Sequence, residues 1–286
     1  MSPRTQRPWW LVVLLVGLAA VLLGVANDAG MRETLWVLRR GLLVTVRVTI
    51  FGFALALSLG VLAGLGRVSE RAWARQPATL YVEVVRGVPM LVLVLWFGFA
   101  FAPWIVGLGR EALLGPLEAL LDAGWRLGGL LPSLATKVDA CSRPSECLPM
   151  EARGIVGLGV GYGAYIAEIV RAGIESVGAG QHEAAASLGM SRRQAMRHVV
   201  LPQAMRLALP PLGNDLVALL KDSSLISILA VPDLVHVARV HVARTFEALE
   251  TWNLVALLYL MLTLSLSAGV RWLERRGSWV QGEGSD

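Results

Sequence analysis

Charges and hydroxyls interrupt one apolar stretch: Asp215, Lys221, Asp222, Ser223 and Ser224 lie within the run from Leu207 to Val231. If that run is a membrane helix, Lys221 sits roughly 21 Å from its start, past the middle of a hydrocarbon core about 30 Å thick. A charge at that depth costs roughly 2.5–3.5 kcal/mol on insertion scales, so it must pair or face a cavity. Glu168, in the apolar run from Gly154 to Ile174, offers such a pair. Two chemistries follow. Either Lys221 braces the helices through Glu168 or Asp215, or these charges and hydroxyls line a polar path through the membrane.

A second stretch is chemically distinct. Residues 181–202, QHEAAASLGMSRRQAMRHVVLP, are polar and helix-prone between two apolar runs. Glu183, Ala184, Ala185 and the residues to Leu188 are mostly good helix formers. Gly189 suits a left-handed C-terminal cap. Ser191 with Gln194 three residues on has capping-box spacing and starts a second helix. Pro202 lacks an amide hydrogen and disfavours helix at Leu201, so that second helix is expected to end or bend there. A polar hairpin between two spans must sit in water on one side of the bilayer, where it can serve as a handle for a soluble partner.

The same stretch resembles the coupling loop of ABC importer permeases. The matching residues are Glu183, Ala184, Ala185, Gly189, Val199, Leu201 and Pro202, with Val199 where that family usually has Ile. Two further segments narrow the resemblance to polar amino acid importers. Lys221 to Leu225, KDSSL, is similar to their KDTSL signature, with Ser223 in place of Thr. Tyr81 to Pro89, YVEVVRGVP, is similar to their RGTP entrance motif, with Val88 for Thr and Leu93 where Gln commonly stands. The AYIAEIVRAGI segment within Gly154–Ile174 also matches. The resemblance runs from about Gly41 to Arg276, apart from one insertion.

The resemblance implies a permease subunit of an ATP-driven importer of polar amino acids. An ATPase subunit dimer would dock on the coupling loop and carry the ATP and Mg, with no cofactor in this chain. A second permease subunit, identical or not, would complete the pore, and an extracytoplasmic amino acid-binding protein would deliver the solute. An amino acid zwitterion brings a carboxylate and an ammonium, and a Lys–Asp pair with adjacent hydroxyls is complementary to both. The altered Val88 and Leu93 keep an importer of another small polar solute open, and an intramembrane enzyme or passive channel is the rival of a different class.

Composition agrees with a membrane protein. The 286 residues are 55% hydrophobic and 16% charged, with mean hydropathy +0.60, which is not the composition of a soluble core. The net charge of +5 comes mostly from arginines flanking apolar runs, which fits membrane orientation better than nucleic acid. There is no G-x-x-x-x-G-K-[ST] phosphate loop, GxSxG elbow or HExxH motif, so the chain is read as a transport subunit and not an enzyme.

Six spans position these residues, in an all-α integral membrane protein whose last five helices form a type I importer permease core. Residues 1–40 hold an extra span, Trp9 to Ala26, read as uncleaved, and a short interfacial helix from Met31 to Arg40. The permease domain covers 41–276 and a polar tail 277–286. Its spans are Gly41 to Leu65, a third reaching Phe101 after a bend at Gly87 and Pro89, Gly154 to Ile174, Leu207 to Val231, and Thr251 to Leu273. Arg47 is expected to snorkel toward the outer headgroups. Gly157, Gly159, Gly161 and Gly163 should allow close helix approach.

Residues 104–153 form an insertion placed outside by topology. Its Cys141 and Cys147 either close a disulfide or remain free thiols. Pro232 to Glu250 is expected to be a polar outer loop with solvated histidines. With both termini inside a bacterial cytoplasmic membrane, fourteen Arg fall on the cytoplasmic side against ten Arg or Lys outside, a modest positive-inside bias.

Overall fold

A computed structural model describes residues 27–105, 107–108 and 148–277. The first apolar run, Cys141, Cys147, most of the insertion and the end of the tail lie outside the described residues.

Helix α1, Ala29–Arg67, is the longest element. Asp28 caps it by accepting from the Gly30 amide at 2.8 Å. The separate interfacial helix expected at Met31–Arg40 is instead continuous with the span that follows. No proline or unpaired polar group breaks the ladder there, and the apparent boundary at Gly41 is a packing site. A Cβ on Gly41 would lie 2.7 Å from the Asp233 carbonyl oxygen.

Helices α2, Ala72–Arg86, and α3, Met90–Trp96, are bent by 107° at the intervening Gly87–Pro89, as the sequence predicts. Pro89 lacks an amide hydrogen and opens α3 with extended backbone. A π-turn, Phe97–Phe101, carries the helix onward.

Helix α4, Met150–Glu175, packs mainly along α1. Its four alternate glycines form two rows, because residues two apart point to nearly opposite sides of a helix. Gly157 and Gly161 face α3, where an added Cβ would meet Val94 Cα at 3.1 Å and Met90 Sδ at 2.5 Å. Gly159 and Gly163 face the other way, toward Leu55 of α1 at 2.7 Å and the Tyr81 hydroxyl of α2 at 2.6 Å. Helix α1 supplies the reciprocal small residues. A Cβ on Gly64 would meet Val170 Cβ at 2.7 Å, and one on Gly60 would overlap Ile166.

The polar hairpin follows as α5, Ala179–Ser187, and α6, Arg192–Ala195. The chain does not end or bend its helix at Pro202. A π-turn, Met196–Val200, leads without a break into α7, Leu201–Asp222. Pro202 stands in the first turn of α7, and the wider π-turn before it makes room for its ring.

The expected span to Val231 also ends early. After α7 the backbone tightens into a 3₁₀ segment, Ser223–Leu229, stopped by Ala230 in the left-handed region at φ 58°. The predicted polar outer loop contains a helix, α8, Leu234–Thr245. Asp233 caps it through the His236 amide at 2.9 Å, and Leu234 and Ala238 bury against Leu38, Leu254 and Val255. The histidines are not simply solvated, since His241 Nε2 lies 3.1 Å from the Thr34 hydroxyl. Helix α9, Ala248–Gly277, completes the described chain.

Three described helices, α1, α4 and α9, are long and apolar enough to cross a membrane. Two bent pairs, α2 with α3 and the α6–3₁₀ stretch with α8, bring the number of crossings to five if each counts as one. The fold is all-α, with the α1–α4 pair at its centre.

Candidate functional site

Two regions carry the residues singled out in the sequence. The first is the hairpin. Helix α5 ends in a Schellman motif: the Met190 amide donates to the Ala185 carbonyl at 3.1 Å and the Gly189 amide to Ala186 at 2.9 Å. Gly189 takes φ +72°, which a residue with a Cβ resists. Across the turn, the Ser191 amide donates to Gln194 Oε1 at 2.9 Å and the Gln194 amide to the Ser191 hydroxyl at 3.4 Å, which is the capping box. The hairpin is thus fixed by its own backbone at both sides of the reversal.

What it presents is a small, mostly polar knob. Ala185 is buried beneath the turn, while Glu183, Ala184 and Gly189 are exposed. Leu188, at the apex, is 78% exposed, an apolar side chain with no cover among the described residues. The sequence reading treated Leu188 only as a helix former; its place beside a cap glycine in a polar hairpin was the available signal for exposed apolar surface. Val199, Leu201 and Pro202 are not on the knob. They lie in the π-turn and first turn of α7 that join it to the membrane helix. Gln203 braces that join, its Nε2 donating to the Val199 carbonyl at 2.9 Å and to Gln181 Oε1 at 3.3 Å. Arg192 pairs with Glu70 in the α1–α2 turn.

The second region is the C-terminal end of α7. Asp222 is its last residue and accepts a hydrogen bond from the Tyr162 hydroxyl of α4 at 2.8 Å. The helix dipole disfavours an anion at this end, so a carboxylate kept here favours a cationic neighbour. Asp215 stands seven residues earlier on the same face, close enough to interact electrostatically with Tyr162, and its Oδ2 is buried without a hydrogen-bond partner. Tyr162 is therefore the organising residue that sequence reading missed. The available signal was a tyrosine set among glycines in GVGYGAY.

Lys221 lies away from this cluster. Its side chain is exposed and makes no ion pair or hydrogen bond among the described residues. Ser223 and Ser224 turn back on their own chain, donating to the Leu220 carbonyl at 2.7 Å and the Lys221 carbonyl at 2.8 Å. They cap carbonyls released where the α-helix tightens to 3₁₀.

Glu168 does not reach Lys221. It belongs to an ion network where the ends of α1, α2 and α4 meet: Arg67 Nη1 lies 2.6 Å from Glu168 Oε2, Arg171 pairs with both Glu168 and Glu175, and Arg86 approaches to 3.9 Å. Arg47 likewise meets a carboxylate and not only headgroups. Its Nε and Nη2 each donate at 2.6 Å to Glu151 in the first turn of α4, a bidentate pair that satisfies the fork of the guanidinium.

Residues 56–278 match the family model described as the binding-protein-dependent transport system inner membrane component. The chain belongs to this family. It is therefore a multi-pass membrane subunit of a transporter and not itself an enzyme. It is 33% identical over 236 residues to the glutamine transport system permease protein GlnP of Escherichia coli K12, covering 82% of this chain and 90% of that one. The probable glutamine ABC transporter permease protein GlnM of Bacillus subtilis 168 is also 33% identical, over 81% of this chain and 89% of its own length. Among solved structures, an amino acid ABC transporter crystallised with histidines superposes at TM-score 0.66, with 28% identity over 87% of this chain and 98% of that one. The MetNI methionine ABC transporter superposes at TM-score 0.61 with 21% identity, a likeness of fold.

Proposed function

We propose that this chain is the permease subunit of an ABC importer for polar amino acids in the bacterial cytoplasmic membrane. A separate ATPase dimer binds and hydrolyses ATP with Mg and docks on the α5–α6 hairpin, while an extracytoplasmic binding protein hands over the solute. The transmembrane unit contains two permease subunits. Both termini of the chain lie in the cytoplasm, on the hairpin side of the membrane.

The exposed Leu188 on a rigid, self-capped turn is the observation that carries this reading. An apolar residue held clear of its own fold gains by inserting into a complementary cleft, and the Schellman and capping-box bonds limit the ordering entropy that docking costs. The amino acid assignment is supported by the named relatives, by KDSSL and by an anionic cluster of Asp222 and Asp215 suited to an ammonium group. Lys221, one residue from Asp222 but on the exposed side of α7, serves the carboxylate in this reading, where a second subunit closes the pore.

Reconstitution with the partner ATPase and binding protein tests this. ATP-driven uptake of a polar amino acid is expected, and Leu188→Asp should abolish uptake and weaken ATPase recruitment while the protein stays in the membrane. Full ATP-driven uptake by Leu188→Asp would overturn the docking assignment, and uptake without ATP would favour a passive channel.

A further inference from the structure

The half of α1 remote from the hairpin carries a feature that solute transport leaves unexplained. Arg32, Leu35, Trp36 and Arg39 recur at i, i+3, i+4 and i+7 and so share one stripe of the helix. With Leu42 below them and Leu258 of α9 opposite, they wall a cavity of about 380 Å³. The guanidinium carbons of Arg39 and Arg40 lie 5.5 and 5.3 Å from the centre of the Trp36 ring, and that ring is 55% exposed.

The level of this groove in the membrane follows from packing. Leu38 shares an apolar cluster with Leu254 and Leu258, so the arginines stand beside the first turns of α9, where Trp252 is also exposed. Exposed tryptophans on adjacent helices mark the headgroup boundary. The hairpin lies at the opposite end of α1, beyond Arg67. The groove therefore opens to the leaflet away from the ATPase side. Along α1 the arginines bracket the tryptophan: Arg32 stands roughly 6 Å above Trp36 and Arg39 roughly 4.5 Å below it at 1.5 Å per residue, with Leu42 deepest.

None of Arg32, Arg39 and Arg40 forms an ion pair with a described carboxylate. Glu33 is exposed, but lies about 100° around the helix from Arg32 and roughly 10 Å along it from Arg40. Three cations without a counter-ion among the described residues, over a floor of leucines, match an amphiphile with an anionic head. We propose that this groove binds an anionic phospholipid of the outer leaflet. Its phosphate sits among Arg32, Arg39 and Arg40 beside Trp36, and one acyl chain runs past Leu42 against Leu258. A free phosphate would have no use for the apolar floor, and a zwitterionic lipid would leave the cationic excess uncompensated. The inference is independent of which solute is carried.

The test uses the full chain with its partner subunits in nanodiscs containing equal phosphatidylglycerol and phosphatidylethanolamine. Lipids retained after extraction are counted by native mass spectrometry. Phosphatidylglycerol should be enriched in the retained pool. Each of Arg32→Gln, Arg39→Gln and Arg40→Gln should lower that enrichment about fivefold, as expected for one basic residue at an anionic surface. Leu258→Trp should displace the lipid with all three arginines intact. A photo-crosslinker at position 42 should capture phosphatidylglycerol. Capture of residues 9–26 of the same chain or of another subunit, an equal retention of the two lipids, or an enrichment untouched by the triple Gln variant would overturn the proposal.

Discussion

The Tyr162 hydroxyl of α4 donates to Oδ2 of Asp222, the terminal residue of α7, at 2.8 Å, and so ties the centre of the fold to the point where α7 tightens into 3₁₀. Tyr162→Phe removes a hydrogen bond to a charged group, about 1.5–3 kcal/mol, and should lower the amount of folded protein. Asp222→Asn keeps an acceptor for Tyr162 and removes only the charge. It should leave membrane abundance unchanged and cut uptake at least tenfold. Paired measurements of abundance and uptake decide this. Normal uptake per folded molecule in Asp222→Asn would remove Asp222 from the solute path.

Gly189 has φ +72°, and nothing within 4 Å would obstruct an added Cβ, so any cost of substitution there is conformational and not steric crowding. Gly189→Val should strain the Schellman turn by about 1–3 kcal/mol. Uptake should fall while ATPase activity persists, and Gly189→Asn, which tolerates this region, should recover most of it. Equal uptake by the Val and Asn variants would show that the turn geometry is irrelevant to coupling.

Gly64 and Val170 meet where α1 crosses α4. Gly64→Ala puts a methyl 2.7 Å from Val170 Cβ and should destabilise the protein by about 1–3 kcal/mol. Val170→Ala in the same chain should restore much of the thermal midpoint measured in detergent. Additive losses in the double variant would mean that the two residues do not share the contact.

Glu168 faces three arginines and Arg67 faces two carboxylates, but the two are not equivalent. The Arg67 side chain is 13% exposed, whereas Glu83, its second partner, is 67% exposed and holds it weakly. Glu168→Gln therefore leaves Arg67 poorly compensated and should cost about 1–3 kcal/mol. Arg67→Met leaves Glu168 with Arg171 and should cost less. A larger loss of thermal stability in Arg67→Met would reverse this ranking.

The proposed orientation puts the insertion that contains Cys141 and Cys147 outside the membrane. An impermeant thiol reagent added to intact cells after reduction should label both. Labelling only after lysis would invert the orientation, and with it the leaflet assigned to the arginine groove.

Short-range chemistry was legible in the sequence. The cap at Gly189, the capping box of Ser191 and Gln194, and the bend at Gly87–Pro89 each depend on residues within a turn of one another. The alternating glycines announced close packing, although not that they serve two opposite faces. Partner choice was not legible. Arg171 was within reach as an i,i+3 partner of Glu168, but Glu168 also meets Arg67 because three helix ends converge, a relation 101 residues long that no spacing encodes. The helix at Leu234–Thr245 was hidden for another reason: its charged residues suggested a loop, while Asp233 as cap and the Leu234–Ala238 periodicity already specified a helix with one buried face. Pro202 misled because a proline rule for α-helix interiors does not hold beside a π-turn.

The interlocked glycine rows have a mechanical consequence. With Ile166 and Val170 seated against bare backbone at Gly60 and Gly64, α1 and α4 cannot slide past one another without collision, and they form a stator. Whatever displacement the hairpin receives must then be spent elsewhere. Two joints outside that pair can take it: the 107° elbow at Gly87–Pro89 and the 3₁₀ segment closed by Ala230.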